Sequence, residues 1–291
     1  MESVLLDGLS LARSMEETLI EEVCQFTETY EIPPTLAIIS EGDNGGCKKY
    51  VELKKGAAER LGIRCYVVSF DDDPPAEEIV TRIHRLNNMP TVHGVMVQHP
   101  VSDRLRSCER LFFDAIDPAK DVDGLTSLNF GKLALHTDPV AFQPATAKGI
   151  MTLLDHYNIG LSGRRVGIIG SSPILGLPLS MLMHNRGATV SITNIHTDFS
   201  HLNTVCQHSD ILVGACGQKH LINKLMMNYG AILIDAGCSP RIDGVFNPNT
   251  YDHASFYTKP TGGVGPMTVI TLLQQTLEAA RYSVRYEDGR R

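Results

Sequence analysis

The sequence predicts an α/β protein of two lobes, each built on a parallel sheet that helices cover on both faces. Seven short apolar segments have the length and composition of buried strands, and stretches with apolar residues at helical spacing separate them. Strands that alternate with helices in this way are typical of parallel sheets. A new helix that begins within residues 143–150 marks the predicted boundary between the lobes.

The composition is that of a globular protein. With 291 residues, 43% hydrophobic and 20% charged, the chain suggests one large or two ordinary domains. The net charge of −7 argues against a nucleic-acid partner. No apolar run approaches the roughly 20 residues that span a bilayer, and the N-terminus lacks a targeting pattern, so we expect a cytoplasmic protein without a membrane partner. Seven scattered cysteines without CxxC and eleven histidines without HExxH predict reduced thiols and no metal site.

The first lobe begins with one long amphipathic helix, after which strands and helices alternate. Ligands of parallel sheets bind at the carboxyl ends of strands, where residues 40–46 and 98–100 fall. The predicted helices are 3–29, 47–61, 76–88 and 104–114, and the predicted strands are 35–40, 65–70 and 93–98.

One lysine of the predicted helix at residues 47–61 lies on its apolar face. At about 100° per residue, Lys54 falls inside the apolar arc, one turn after Tyr50. One interpretation is a lysine whose stem packs on apolar surface while its ammonium reaches water. The other is a partly desolvated amine with a lowered pKa, beside an aromatic ring that can stack on a flat ligand. The helix is expected to end at Gly62. The rest of the arc is Val51, Leu53, Ala57, Ala58 and Leu61.

A loop at residues 117–126 carries two aspartates on either side of a valine. Asp121 and Asp123 precede Gly124, and aspartate and glycine build turns in any protein. The alternative is a carboxylate that accepts hydrogen bonds from an amide or guanidine edge of a ligand.

The second lobe opens with a strand at 165–169 and a glycine-rich turn that starts a helix. Such a turn presents backbone N–H groups to an anion, although it is not a GxGxxG and many α/β proteins have one without a phosphate ligand. Thr146 is the predicted N-cap of the boundary helix, and Pro266 suits the first turn of the last helix. The other predicted strands are 188–193, 210–216 and 231–237, and the predicted helices are 199–208, 219–229 and 267–284.

Six separated stretches form an ordered set of motifs. They are KYVELKKGAAERLGI (49–63), GVMVQHP (94–100), PAKDVDGLTSLNFGKLA (118–134), PATAKGI (144–150), GSSPILGLP (170–178) and GGVGPMTVITLLQQTLEAA (262–280). With these motifs, nearly the whole chain resembles the bifunctional methylenetetrahydrofolate dehydrogenase/methenyltetrahydrofolate cyclohydrolase family. The YVxxK, KDVDG and GGVGPMT blocks are specific in combination.

The resemblance implies two three-layer α/β lobes, of which the second is a Rossmann-like dinucleotide-binding domain, with a folate cleft between them. The predicted domains are 1–143 with 267–291 for folate binding and catalysis, and 144–266 for NAD(P) binding. It also implies tetrahydrofolate derivatives as ligands, a homodimer, and NADP as the usual cofactor.

The resemblance assigns roles to individual residues. The implied catalytic residues are Lys54, Tyr50, Gln98 and Asp123, in which Tyr50 stacks on the folate, Gln98 tunes the lysine and Asp123 holds the pterin edge. The implied substrate-binding residues are Tyr50, Val97, Gln98, Pro100, Asp123, Gly262 and Gly263. The implied cofactor-binding residues are Thr146, Gly170, Ser171, Ser172, Ile174, His196, Thr197, Ala215, Cys216, Gly217, Gly237 and Gly262.

The sequence departs from the family pattern among the implied cofactor-binding residues. Ser171 stands where the family has an arginine that contacts the 2′-phosphate of NADP, and acidic Asp198 follows His196 and Thr197 after an apparent short insertion. Arg186 and Lys219 are candidates to compensate. NADP is therefore the default and NAD the alternative. The loops at 144–147 and 258–263, and the stretch at 242–256, are also altered.

Three other functions compete with the bifunctional enzyme. The first is a cyclohydrolase with weak or NAD-dependent dehydrogenase activity. It agrees with the sequence because the implied catalytic residues Tyr50, Lys54, Gln98 and Asp123, here called the lysine set, match the family, whereas the implied dinucleotide-binding residues depart from it. A generic Rossmann oxidoreductase leaves the Tyr50/Lys54 helix unexplained. A non-catalytic folate-binding scaffold conflicts with the intact lysine set.

Overall fold

The chain forms two compact units in a computed structural model that describes residues 2–41, 45–70, 74–137, 142–237 and 244–288, with backbone alone at 45–47 and 286–288. The first, here called the glycine-turn unit, comprises Met1–Arg13 and Thr146–Thr268. The second, here called the lysine unit, comprises Ser14–Ala145 and Val269–Arg291. Parts of the loop at 40–46 and of the stretch at 242–256 lie outside the described residues.

Strands and helices alternate along most of the described chain. The first elements are β1 (Val4–Leu5), α1 (Gly8–Tyr30), β2 (Thr35–Glu41), α2 (Gly45–Arg60), β3 (Arg64–Phe70), α3 (Ala76–Asn87), β4 (Gly94–Val97), α4 (Glu109–Asp114) and α5 (Ser127–Ala134). The next are α6 (Ala145–His156), β5 (Arg165–Ile169), α7 (Gly176–Asn185), β6 (Thr189–Thr193), α8 (Phe199–His208), β7 (Ile211–Gly214), β8 (Ile232–Asp235), β9 (Phe256–Tyr257) and α9 (Val264–Asp288).

The sheet of the lysine unit has β2 between β3 and β4, with both pairs parallel. Every residue of β2 is buried, as expected for a central strand whose two faces are covered. The segment before α5 runs beside β4, because Val95 pairs with Asp121 and its N–H donates to the carbonyl of Lys120 at 2.7 Å. The three strands predicted for this lobe are confirmed.

The sheet of the glycine-turn unit has the order β1-β9-β8-β7-β5-β6, and every neighbouring pair is parallel. From β5 the chain proceeds to β6 on one side and then to β7 and β8 on the other. Ligands of such sheets bind at this reversal, outside the carboxyl ends of the strands. The four strands predicted for this lobe are confirmed, whereas β1 and β9 were not predicted.

The predicted helix over residues 3–29 is wrong at its start. Val4 and Leu5 form β1 and pair with β9, so the first thirteen residues join the glycine-turn unit rather than the domain predicted for them. The carboxylate of Asp7 then accepts hydrogen bonds from the N–H and hydroxyl of Ser10, and α1 begins at Gly8.

The predicted helix over residues 219–229 is also wrong, since only a 3-10 turn at Lys224–Met226 forms there. This segment pairs with the chain near residue 245 instead: the N–H of Ile222 donates to Val245 O at 3.1 Å, and Asn247 N donates to Ile222 O at 2.8 Å. Long-range pairing satisfies backbone groups that a helix would have satisfied locally.

Other helix boundaries differ from the prediction. The predicted helix at 104–114 is a 3-10 turn, Arg106–Cys108, followed by the short α4, and α5 was not predicted. Helix α6 already begins at Ala145, so Thr146 is not its N-cap, and the Thr146 hydroxyl accepts from Thr268 Oγ1 at 3.3 Å. Helix α9 begins at Val264, three residues early, with Pro266 in its first turn as predicted.

Acid should destabilise the lysine unit through His93, which is 2% exposed. Its Nδ1 accepts from Thr35 N at 3.0 Å, and burial, followed by the charge of Lys120, lowers its pKa from 6.5 to about 4. The unfolded chain therefore binds more protons in this window, so stability falls as the pH falls from 6.5 toward 4. His93→Asn, which keeps an acceptor near the Nδ1 position, should remove about 1–3 kcal/mol of this pH dependence. Urea unfolding at neutral and mildly acid pH measures it, and an equal pH dependence in both proteins would contradict the assignment.

Candidate active site

Helix α2 buries Lys54 on its inner face. The buried stripe runs through Val51, Lys54, Ala58 and Leu61, at spacings of three and four residues, and Lys54 is 8% exposed. Leu53, which the sequence placed on the same face, is 53% exposed. That prediction is wrong because Leu53 lies about 100° from Lys54, at the edge of the stripe.

The end of α2 matches the prediction from Gly62. This glycine has a φ of +76°, in the left-handed region that residues with a Cβ rarely adopt. The N–H of Ile63 reaches back to the carbonyl of Ala58 at 2.9 Å and closes the last turn.

The amine of Lys54 contacts a neutral partner. Its Nζ donates to Gln98 Oε1 at 2.9 Å, and Gln98, which follows β4, is 7% exposed. The Nε2 of Gln98 donates to the carbonyl of His99 at 2.8 Å, which fixes the amide with its oxygen toward the lysine. An amide oxygen accepts from either an amine or an ammonium, whereas a carboxylate would favour the ammonium. The burial favours the partly desolvated lysine over one that reaches water.

The imidazole of His99 adds no positive charge beside this pair at neutral pH. Burial first, and then the charge of Lys54, lowers the pKa of His99 to about 4, against the opposing influence of Glu109. The ring packs edge-on against Phe113, with a centroid distance of 6.4 Å.

The two aspartates of the 117–126 loop differ in role. Asp121 is fully buried and builds the turn with its carboxylate. Asp123 is half-buried, and desolvation raises the pKa of its carboxyl while the nearby charge of Lys54 lowers it. Asp123 is thus the one whose carboxyl is within electrostatic range of the lysine. The groups that donate to Asp121 are Leu125 N at 3.1 Å, Thr126 N at 2.8 Å and Asn129 Nδ2 at 2.9 Å.

The predicted substrate-binding residues fall in both units. Val97 is buried in β4, Pro100 is exposed, and Tyr50 is half-buried on α2 one turn before Lys54. Gly262 and Gly263 belong to the glycine-turn unit, where Gly262 O accepts from Leu9 N at 2.8 Å.

The glycine-rich turn after β5 is closely packed. Gly170 has a φ of +125°, and a Cβ there would lie 2.3 Å from the carbonyl oxygen of Ala215. A Cβ on Gly176 would lie 1.9 Å from Gly170 O. The chain therefore needs glycine at both positions to bring the ends of β5 and β7 and the start of α7 together.

A pocket of about 560 Å³ opens at the carboxyl ends of β5, β6 and β7. It includes the first turn residues after β5 and the segment that links β6 to α8. Its lining residues are Ile169, Gly170, Ser171, Ser172, Thr193, Asn194, Ile195, His196, Thr197, Phe199, Leu202, Ala215, Cys216, Gln218 and Leu221.

Seven of the twelve predicted cofactor residues line this pocket. They are Gly170, Ser171, Ser172, His196, Thr197, Ala215 and Cys216. Thr146, Ile174, Gly217, Gly237 and Gly262 do not line it. Sequence reasoning missed Thr193, Asn194, Ile195, Phe199 and Gln218, although taking the residues after every strand end would have found several of them.

The pocket fits a nicotinamide dinucleotide in its location. It lies where the strand order reverses, beside a tight glycine turn that leads into a helix N-terminus, as in dinucleotide-binding sheets.

Within the described ranges, no helix is long and apolar enough to cross a membrane, and no group of three His, Cys, Asp or Glu side chains could hold a metal ion. The thiols of Cys24, Cys65, Cys108, Cys206 and Cys216 are free, and those of Cys47 and Cys238 lie outside the described side chains.

The fold and the two sites define a two-unit α/β enzyme with a Rossmann-type NAD(P)-binding domain. The family model for the tetrahydrofolate dehydrogenase/cyclohydrolase catalytic domain matches residues 6–123, and that for the NAD(P)-binding domain of the same family matches residues 144–284. The chain belongs to the tetrahydrofolate dehydrogenase/cyclohydrolase family, as its motifs predicted.

Similar proteins cover nearly the whole chain. The bifunctional protein FolD of Cellvibrio japonicus is 38% identical over 98% of this chain and 100% of its own length. That of Marinomonas sp. is 40% identical over 96% and 98%. The chain therefore has a one-carbon folate dehydrogenase and cyclohydrolase function.

Solved structures share the fold. The bifunctional FolD of Campylobacter jejuni is 34% identical with a TM-score of 0.90, and covers 97% of this chain and 99% of its own. The Trypanosoma brucei enzyme, complexed with NADP and an inhibitor, is 31% identical with a TM-score of 0.93, over 98% and 99%. The NAD-dependent dehydrogenase of Saccharomyces cerevisiae has a TM-score of 0.85 but 19% identity over 97% and 98%, which shows the fold alone.

Proposed function

We propose that Lys54 is the proton-transfer group of the cyclohydrolase step and that both reactions take place beside it. The observation that carries this is the buried hydrogen bond of 2.9 Å between Lys54 Nζ and Gln98 Oε1. Burial and an uncharged hydrogen-bond acceptor both disfavour the ammonium form relative to a lysine in water, which suits a lysine that gives up and takes back a proton.

In the dehydrogenase step, a hydride leaves the bridging methylene of methylenetetrahydrofolate, and a methenyl cation remains that is delocalised over two nitrogens. A bound dinucleotide supplies the hydride acceptor. A fixed positive charge beside the substrate would oppose formation of this cation. A neutral Lys54 would avoid that opposition, and His99 adds no charge at neutral pH because burial is the main cause that lowers its pKa to about 4.

In the cyclohydrolase step, water adds to the carbon of the methenyl cation. A neutral Lys54 accepts a proton from that water as the C–O bond forms, and then returns it to the leaving nitrogen as the C–N bond breaks. The product is 10-formyltetrahydrofolate. Gln98 orients the amine without fixing it as an ammonium, because its acceptor is an uncharged amide oxygen.

The same proposal gives Tyr50 and Asp123 binding roles. Tyr50 lies one turn before Lys54 on α2 and is half-buried, so its ring is suited to stack on a flat heterocycle. Asp123, which is half-buried in the loop at 117–126, is suited to accept hydrogen bonds from the pterin edge.

The dinucleotide of the proposed reaction is NADP or NAD. NADP is bound by the Trypanosoma brucei relative and is the first to test. Ser171, at the glycine turn, has no charge to offer a 2′-phosphate, which keeps NAD as the alternative.

A spectrophotometric assay with methylenetetrahydrofolate and NADP or NAD in parallel tests the proposal. We expect the methenyl absorbance to rise with at least one dinucleotide and then to decay by hydrolysis. Hydrolysis of added methenyltetrahydrofolate without reduction of either dinucleotide would support the second candidate, a cyclohydrolase with weak dehydrogenase activity. The dinucleotide pocket favours that candidate because it has Ser171 where the family has an arginine. Absence of both the dehydrogenase and the cyclohydrolase activity would contradict the two candidates alike.

Gln98→Glu should impair the cyclohydrolase. A carboxylate in place of the amide oxygen, 2.9 Å from Nζ, favours the ammonium form and raises the pKa of Lys54. We expect turnover near neutral pH to fall by about 10²-fold and to recover as the pH rises. The pH profile of methenyl hydrolysis measures this.

Gln25→Glu makes the same chemical change on the exposed surface of α1 and serves as the control. It should leave the profile unchanged. An unaltered profile in Gln98→Glu would show that Gln98 does not tune the lysine.

We also propose the homodimer and the cytoplasmic location that the resemblance implies. Light scattering on the purified chain tests the first, with a mass near twice 31.9 kDa expected. Fractionation of the source cells tests the second.

A further inference from the structure

Two large apolar side chains stand at the open side of the dinucleotide pocket. Ile195 is 86% exposed and Phe199 is 66% exposed, and both line the pocket. Leu202 and Leu221 line the same pocket. Apolar side chains that converge on one opening provide a surface for a flat, weakly polar group such as a purine base. Ile195 and Phe199 are here called the apolar lip.

A closed turn holds Ile195 in place between β6 and α8. Thr197 N donates to Asn194 O at 3.0 Å, and Asn194 N donates to Thr197 Oγ1 at 3.0 Å. The Asn194 side-chain oxygen accepts from His196 N at 2.9 Å. The hydroxyl oxygen of Thr197 and the amide oxygen of Asn194 are therefore engaged within the turn, and Ile195 projects from it.

Ile195 lies in the segment that contacts the adenosine ribose in dinucleotide-binding sheets. The strand pair β5 and β6 corresponds to the first two strands of the Rossmann order, since the chain reverses from β5 to β7 on the other side. In such sheets, the residues after the second strand contact the ribose of the adenosine, with an acid for a free 2′-hydroxyl or an arginine for a 2′-phosphate. Here that segment contains the aliphatic Ile195 beside the polar His196 and Thr197, and it has neither a lysine nor an arginine.

The pocket offers little positive charge to a phosphate. Among the fifteen lining residues in the part of the chain that the structure describes, none is Lys or Arg, and His196 is the one histidine. Asp198, between the lining residues Thr197 and Phe199, carries a carboxylate whose pKa is held low by bonds from His201 N and Ser200 Oγ. A fixed negative charge next to the lip opposes a dianion.

Neither of the two cations considered from the sequence lines the pocket. Arg186 pairs with Asp155 at 2.6 Å and follows the last residue of α7, whereas the pocket lies at the first. A helix of that length separates its ends by about 15 Å. Lys219 is not among the lining residues.

We propose that the apolar lip makes this chain selective for a dinucleotide with a free 2′-hydroxyl, with Ile195 as the residue that discriminates. Phe199 provides apolar surface for the adenine, and Ile195 occupies the place where a 2′-phosphate would need a donor or a cation. A phosphate placed against Ile195 loses hydration on that side and gains no charge-assisted bond from a lysine or arginine among the described lining residues. The inference rests on the proposed dehydrogenase function and narrows its cofactor to NAD.

Binding of two fragments without a nicotinamide ring tests the inference apart from turnover. Calorimetry with ADP-ribose and with 2′-phospho-ADP-ribose should show the first binding at least about tenfold more tightly, the size of one charge-assisted contact. Equal affinity, or tighter binding of the 2′-phosphorylated fragment, would overturn it. Binding of neither fragment would remove both the inference and the dinucleotide role of the pocket.

Ile195→Arg should largely remove the preference by adding a guanidinium at the lip. We expect affinity for the 2′-phosphorylated fragment to rise about tenfold, with a smaller effect on ADP-ribose. Leu225→Arg is the matched control, because Leu225 is 79% exposed in the same unit and does not line the pocket. If Leu225→Arg raised the affinity for the 2′-phosphorylated fragment as much as Ile195→Arg does, the cause would be the added net charge, and the role of Ile195 would be overturned.

Phe199→Ala separates adenine binding from 2′ discrimination. It should weaken both fragments by a similar factor and leave their ratio unchanged. A changed ratio would transfer the discrimination from Ile195 to Phe199 and contradict the assignment of roles. Methenyl hydrolysis, measured in parallel, reports separately on the lysine site, so loss of nucleotide selectivity is distinguishable from loss of the whole proposed function.

Discussion

Lys54→Met is expected to lower cyclohydrolase turnover by about 10²–10⁴-fold, the range for removal of a positioned proton-transfer group. Methionine is unbranched and close to lysine in length, so it can occupy the same buried space on α2. The loss should appear in the decay of methenyl absorbance, measured by stopped flow with added methenyltetrahydrofolate. It should not be rescued at high pH, because no amine remains to deprotonate.

Two measurements separate catalysis from folding in this variant. The substitution leaves Gln98 Oε1 without its lysine donor, which costs about 1–3 kcal/mol of unfolding free energy if no water replaces it. Lys55→Met, at the next and half-buried position, is the matched control and should keep its turnover. Full cyclohydrolase turnover in a normally folded Lys54→Met protein would show the mechanism to be wrong.

Gly176→Ala is expected to weaken dinucleotide binding by at least about tenfold and to destabilise the glycine-turn unit by about 1–3 kcal/mol. The added Cβ would lie 1.9 Å from Gly170 O and 3.2 Å from Ser171 Cα. Both are backbone atoms of the turn, so α7 or the turn itself must shift. Titration with ADP-ribose measures the affinity, and thermal unfolding measures the stability.

Gly160→Ala provides the control for backbone effects of a glycine substitution. It lies in the same unit, and a Cβ there would have no heavy atom within 4 Å. It should change neither affinity nor stability by a comparable amount. Unchanged binding in Gly176→Ala would mean that the contact between α7 and the turn does not shape the pocket.

Features with short-range causes could be predicted from the sequence. The seven predicted strands are present because each is a continuous apolar segment bounded by turn residues. The end of α2 at Gly62 follows from the left-handed backbone that the last turn requires. The burial of Lys54 follows from its spacing relative to Val51 and Ala58.

Features that depend on distant partners could not be predicted. The segment at 219–229 has enough apolar residues for a helix, but Ile222 pairs with the chain near Val245 instead. Val4 and Leu5 have helical spacing with the leucines of α1, yet they pair with β9 about 250 residues later. In both cases, a tertiary hydrogen-bond partner overrides local propensity.

The candidate sites also have features with short-range causes and features that depend on distant partners. By itself the sequence determined that a lysine occupies the apolar face of α2, that a glycine turn follows β5, and that the motifs are those of a folate dehydrogenase/cyclohydrolase. The motif resemblance also implied that Gln98 tunes Lys54, but only the tertiary structure brought the Lys54 Nζ and Gln98 Oε1 atoms, 44 residues apart in the chain, to 2.9 Å and placed Ile195 and Phe199 at the lip of the nucleotide pocket. The reason is geometric: helix and strand periods act over a few residues, whereas the contacts that set charge and selectivity exist only after separate strands have packed side by side.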